Sequence, residues 1–222
     1  MKLTYYGHCA FLWTSASGVR ALIDPFGNSP RHNWFLRPFP PVDTDIALVT
    51  HDHFDHDAVA NIPGQPTLLN GPGDFTEGDM RVRGILDVHS ADSGRGGMEN
   101  TIFVVESGGV RCCHIGDNRH DIPGHVRAQL GAVDILMVTV DDSCHLLSYD
   151  QVDSLIADVS PRVAVPMHYY IEGLTTASST LRTPKGWLET QTSVRHLSAN
   201  PIELTRDDLP DEREVWVFGE PA

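Results

Sequence analysis

The chain has 222 residues, 41% of them hydrophobic, which is enough for one large core; no Pro/Gly/Ser-rich linker separates two periodic regions, so 1–222 reads as a single domain. A formal net charge of −14 leaves no basic footprint of the kind non-specific nucleic-acid binding requires, and nucleic acid is excluded as a partner. No run of about 20 apolar residues offers a membrane span and no signal-like apolar segment follows Met1, so a cytoplasmic protein is expected.

In chain order, β-type runs are predicted at 3–6, 10–14, 19–23, 46–50, 67–70, 81–88, 101–106, 110–115, 135–140, 163–166 and 215–218. Between the third and fourth runs, the Pro, Arg and aromatic residues of 26–42 suggest an ordered loop that lines a site. Helices are predicted at 57–61, 125–130, 149–159 and 176–189, the last interrupted by Pro184 and Gly186. For 149–159 the signals agree: Ser148 with Gln151 makes a capping box, Val152, Leu155, Ile156 and Val159 form one apolar stripe, and Pro161 stops the helix. Cys9, Cys112, Cys113 and Cys144 include no Cys-x-x-Cys pair, and reduced thiols are expected. The segment 45–52 echoes 134–141 with five identities in eight positions, which suggests two related half-units packed about a pseudo-twofold axis.

The densest chemistry lies at Thr50-His51-Asp52-His53-Phe54-Asp55-His56, directly after the apolar run Ile46 to Val49. Imidazole and carboxylate suit zinc and its first-row neighbours. His51 and His53 are two apart, so an extended backbone sends both from one face to grip a single ion. Asp55 and His56 are adjacent and reach a second ion if the chain turns there into a helix. Each zinc wants roughly four donors, so further ligands must come from elsewhere. His89, Asp117 and His168 are the candidates, each placed just beyond a β-type run.

The ordered series His51-x-His53-x-Asp55-His56, then His89, Gly116-Asp117 and Pro166-Met167-His168, resembles the ligand series of the metallo-β-lactamase superfamily. Tyr6-Gly7-His8-Cys9-Ala10-Phe11-Leu12 and Leu22-Ile23-Asp24-Pro25 are similar to the N-terminal hairpin of one branch, which includes ascorbate-6-phosphate lactonase-like proteins and predicted metal-dependent hydrolases. The resemblance implies a mixed α/β (α+β) fold, a four-layer αββα sandwich with a binuclear site at one edge of its sheets. It also implies ligand roles: His51, His53 and His89 on the first metal, Asp55, His56 and His168 on the second, and Asp117 bridging. His8 and His114 are expected to be structural, hydrogen-bonded histidines.

Two divalent cations, zinc first with manganese or iron as alternatives, would acidify a bridging water and make a hydroxide near neutral pH. That hydroxide, oriented by Asp55, is expected to attack the carbonyl or phosphorus of a small-molecule ester, lactone or phosphodiester. The alternatives are a mononuclear iron sulfur-oxygenase and a metal-stabilised binding protein without catalysis. Where the branch often carries Gly-Gly and Thr-Met, this chain has Asp141-Asp142-Ser143-Cys144-His145; Asp142 and His145 are candidate contacts to substrate or metal, or turn residues leading into Ser148. Tyr169 and Tyr170 are candidate oxyanion donors, or packing residues. Arg31, Arg37, Arg95, Arg119, Arg182 and Lys185 could bind a substrate anion from loops, and Trp34, Phe35 and Phe39 suit a ring-bearing substrate or a homo-oligomer contact.

Overall fold

The computed structural model describes residues 1–90 and 98–222; Arg95 lies outside them. Within the described residues the chain is mixed α/β with two sheets and few helices. The first sheet runs β13-β1-β2-β3-β4-β5, built from Lys2–Gly7 (β1), Ala10–Thr14 (β2), Arg20–Ile23 (β3), Ile46–Leu48 (β4), Thr67–Leu69 (β5) and Ile202–Glu203 (β13). The second runs β12-β14-β11-β10-β9-β8-β7-β6, from Gly73–Glu77 (β6), Met80–Val88 (β7), Glu99–Ser107 (β8), Val110–His114 (β9), Ile135–Thr139 (β10), Val163–Met167 (β11), Val194–His196 (β12) and Glu214–Val217 (β14).

Period-2 alternation sorts the first sheet into two faces. Phe11, Trp13, Ala21, Ile23, Ile46 and Leu48 point into a core shared with Val82, Ile85, Phe103, Val105, Cys113 and Met137 of the second sheet. Ala10, Leu12, Leu22 and Ala47 point outward, where Phe26, Phe35, Phe39 and Val42 cover them. The 26–42 loop thus packs where a helical layer is expected, and the helix predicted at 57–61 is a single 3-10 turn, Ala58–Asn61. On the second sheet the helices are Gly124–Leu130 (α1) and Tyr149–Val159 (α2). The Ser148/Gln151 capping box forms as predicted, and Val152, Leu155, Ile156 and Val159 are the buried stripe of α2. The predicted helix over 176–189 reduces to a 3-10 turn, Ala177–Ser179, and one α-turn, Lys185–Leu188 (α3), with Pro184 at its start.

The internal echo has a structural counterpart. Strands β3-β4-β5 and β9-β10-β11 are both parallel triplets fed by an antiparallel hairpin. Asp45 and Asp134 open the central strands in the same way: each accepts an amide hydrogen bond through Oδ2, from Arg20 at 2.8 Å and from Arg111 at 2.9 Å, and returns its own amide to that residue's carbonyl.

Candidate metal centre

Five strand ends converge on one edge of the sheet pair. His8 follows β1, the 50–56 motif follows β4, His89 follows β7, Asp117 lies beyond β9 and His168 follows β11. Gly116 makes the approach to Asp117 feasible: at φ +58° a Cβ there would stand 2.5 Å from Asn100 Oδ1 and 2.7 Å from Thr50 Cβ. The chain does turn after His53, whose carbonyl accepts the amides of His56 and Asp57, and this swings Asp55 and His56 inward together.

Among the described residues the donors form two groups, His51, His53, His89 and Asp117, and His8, Asp55, His56 and His168. Asp117 belongs to both in effect. Its Oδ2 lies 3.7 Å from His51 Nε2 and 3.5 Å from His89 Nε2 on one side, and 3.5 Å from His56 Nε2 and 3.3 Å from His168 Nε2 on the other. Asp55 Oδ2 lies 3.7 Å from His56 Nε2 and 3.6 Å from His168 Nε2. These separations are long for hydrogen bonds. They match two donors on one ion, which at about 2.0–2.1 Å each and a tetrahedral angle stand about 3.3 Å apart.

The far sides of the rings explain their aim. Asp24 accepts from the Thr50 amide at 2.9 Å, from the Thr50 hydroxyl at 2.8 Å and from His56 Nδ1 at 2.9 Å. With its proton given to Asp24, the Thr50 hydroxyl accepts from His51 Nδ1 at 3.0 Å. His89 Nδ1 donates to the Ser90 carbonyl at 3.0 Å. Each ring is thereby held with Nε2 as a lone pair turned inward, the outer-partner pattern of metal-binding histidines. Of these, His51 Nε2 stands 3.0 Å from His53 Nδ1, while among the described residues His56 Nε2, His89 Nε2 and Asp117 Oδ1 are buried without a hydrogen-bond partner. A divalent cation fits this set.

The electrostatics agree. Burial takes His51 down to about 2 and His8 to about 4, with neighbouring imidazoles adding to the effect. Burial acts the same way on His168 and His56, but the carboxylates of Asp117 and Asp55 outweigh it, raising His168 to about 9 and His56 as well. Burial would also raise both carboxyls, yet His56 and His168 hold Asp55 and Asp117 well below the usual carboxylate range. Two ionised carboxylates in a buried ring of histidines form a cation site.

Not every sequence-predicted residue is brought here. Asp142 is taken by the start of α3, accepting from the Gly186 amide at 2.9 Å and the Tyr149 hydroxyl at 2.7 Å. His168 adopts φ +62°, which redirects the chain, so Tyr169 and Tyr170 line a separate cavity of about 580 Å³ with Leu188, Val217 and Phe218. His145 does face the centre: its ring stacks 5.8 Å from His168 and stands 5.8 Å from Trp34. Trp34 also sits 6.4 Å from His8 and 5.3 Å from Phe54, so the 26–42 loop walls the second group. Arg119 is committed to Asp87 at 2.8 Å. His114 is structural as expected, its Nε2 meeting the Cys9 carbonyl at 2.9 Å. Two residues were assigned no place in the centre by sequence reasoning: Asp24, for which Asp-Pro after an apolar strand was the available signal, and His8, expected to be purely structural.

The Beta-lactamase superfamily domain matches residues 2–168, ending on the last histidine of the series. A UPF0173 metal-dependent hydrolase of Carboxydothermus hydrogenoformans is 30% identical over 199 residues, covering 76% of this chain and 84% of its own length. One from Archaeoglobus fulgidus is 31% identical over 200 residues, with 76% and 83% covered. A solved metallo-β-lactamase superfamily protein of Thermotoga maritima is 25% identical with a TM-score of 0.75, covering 98% of this chain and 97% of that one. With the motif, the two-sheet fold and the convergent donors, these matches place the chain in the metallo-β-lactamase superfamily, within its UPF0173 family of metal-dependent hydrolases.

Proposed function

We propose that the chain is a binuclear hydrolase whose two ions, zinc by the donor chemistry, are held by His51, His53 and His89 and by Asp55, His56 and His168, with Asp117 shared between them. The observation that carries this reading is the single Asp117 Oδ2 with two imidazole nitrogens from each group 3.3–3.7 Å away. When bound, the ions supply a water acidified to roughly pKa 7 and a Lewis-acid contact for the substrate oxygen. The chain's own part is positioning. Thr50, Asp24 and Ser90 fix the ring orientations, and Asp55 orients the attacking water toward an ester, lactone or phosphodiester. Trp34, Phe54 and His145 keep bulk water from the second group and contact the substrate. A small molecule in the cytoplasm is the substrate class this reading takes.

Metal analysis of the purified protein, paired with a phosphodiester-versus-lactone screen, tests it. Two zinc ions per chain are expected, and His53→Ala or Asp117→Ala should lower kcat/KM by at least about 100-fold, as removal of a transition-state electrostatic partner does. Full activity in either variant sinks the mechanism. Iron with persulfide-dependent oxygen uptake would replace it by oxygenase chemistry.

A further inference from the structure

His8 is a fully buried member of the second donor group, yet the chemistry proposed above leaves it without a task. Its Nε2 lies 3.1 Å from Asp55 Oδ2, a hydrogen-bond distance, whereas the same oxygen is 3.6 Å from His168 Nε2 and 3.7 Å from His56 Nε2. Among the described residues its other nitrogen, Nδ1, has no partner. A neutral imidazole carries one proton. On Nδ1 that proton would be a wasted buried donor, and a lone pair would face the carboxylate; on Nε2 it meets Asp55.

The backbone at His8 is in the left-handed region at φ +53°, a cost for a residue with a Cβ. It is held there from two sides. The His8 carbonyl accepts from the Tyr5 hydroxyl at 3.2 Å and from the amide of His168 at 3.2 Å. The ring packs 4.3 Å from the His168 ring and 5.2 Å from Phe35. Strain, burial and packing all fix one nitrogen on one carboxylate oxygen.

We infer that His8 is a positioning residue that donates its Nε2–H to Asp55 Oδ2, fixing that carboxylate toward the second donor group and so setting that group's affinity for a divalent ion. This rests on the two-ion reading, and it enlarges the motif: the second group depends on a histidine 47 residues upstream of Asp55.

Two substitutions separate the hydrogen bond from mere fold support. His8→Gln places an amide nitrogen where Nε2 stands, and His8→Asn places one where Nδ1 stands. Zinc content and chelator-competition titrations should show His8→Gln binding the second zinc within about threefold of wild type and His8→Asn about 10- to 100-fold more weakly, with the first zinc unchanged in both. Asn tolerates a left-handed backbone better than Gln, so a role in supporting the fold predicts the opposite order. Equal second-zinc affinity in the two variants overturns the proposal. A nitrogen-detected NMR spectrum of zinc-loaded wild type judges it independently of how either variant folds. His8 should be the Nε2–H tautomer; an Nδ1–H tautomer would mean that Nε2 itself offers a lone pair, and the proposal fails. If wild type holds a single zinc, the two-ion reading falls while the tautomer still decides whether His8 donates to Asp55.

Discussion

Asp24 has no exposure and serves three buried donors at once, the amide and hydroxyl of Thr50 and His56 Nδ1, so it orients one ring of each donor group. Asp24→Asn keeps a residue type that accepts the φ +47° backbone but turns an NH₂ group against one of those donors. Zinc affinity is expected to fall about 10- to 100-fold with the far-UV circular dichroism unchanged, because partners of this kind tune the ligands without building the fold. Unchanged affinity by chelator competition would mean that the rings hold their aim without it. The contrast with the 50–56 motif shows what a sequence exposes. His51, His53, Asp55 and His56 are legible because one strand end and one turn bring them together locally. Asp24 is not, since its role exists only once Thr50 and His56, 26 and 32 residues away, fold over it. Asp142 and Tyr169 show the converse: they neighbour the site in sequence, yet Asp142 pairs with Gly186 and Tyr149, and Tyr169 lines a separate cavity.

At the level of elements, legibility follows burial. Strands with alternating or continuous apolar residues, such as β2, β10 and β11, were predicted nearly to their ends. The edge strands Gly73–Glu77 and Val194–His196 were not, because they hardly bury either face and carry no period-2 signal. The echo between 45–52 and 134–141 was readable and marks a shared device, an aspartate that ties the start of a central strand to its neighbour's backbone. The two copies differ in surroundings. The Asp134 side chain is 11% exposed and that of Asp45 is 46% exposed. Asp134→Ala leaves the Arg111 amide without that acceptor in a dry setting and should cost about 1–3 kcal/mol, while Asp45→Ala lets water replace the bond and should cost under about 1 kcal/mol. Urea denaturation of the two variants checks the ranking; equal losses would show that the difference in exposure does not set the cost.

On the scale of the molecule, the centre spans the two sheets. His51 and His53 follow β4 of the first sheet, whereas His89 and Asp117 follow strands of the second; Asp55 and His56 face His168 in the same way. Each ion would therefore tie one sheet to the other at the open edge of their shared core. Without an ion, that edge keeps two ionised carboxylates in a buried ring of histidines, held by the 3.1 Å His8–Asp55 hydrogen bond and by longer contacts between rings and carboxylates. Metal removal should accordingly weaken the whole fold and not only the chemistry. An ion present at 100 times its dissociation constant stabilises the native state by about 2.7 kcal/mol. For a chain of this size each such ion corresponds to about 5–10 °C in Tm. Chelator-treated protein is expected to melt earlier by that amount per ion, in a single transition, and to recover on adding zinc. Loss of activity with an unmoved Tm would show that the ions sit on a scaffold already complete without them, and the link between the sheets would have to be carried by the hydrophobic core alone.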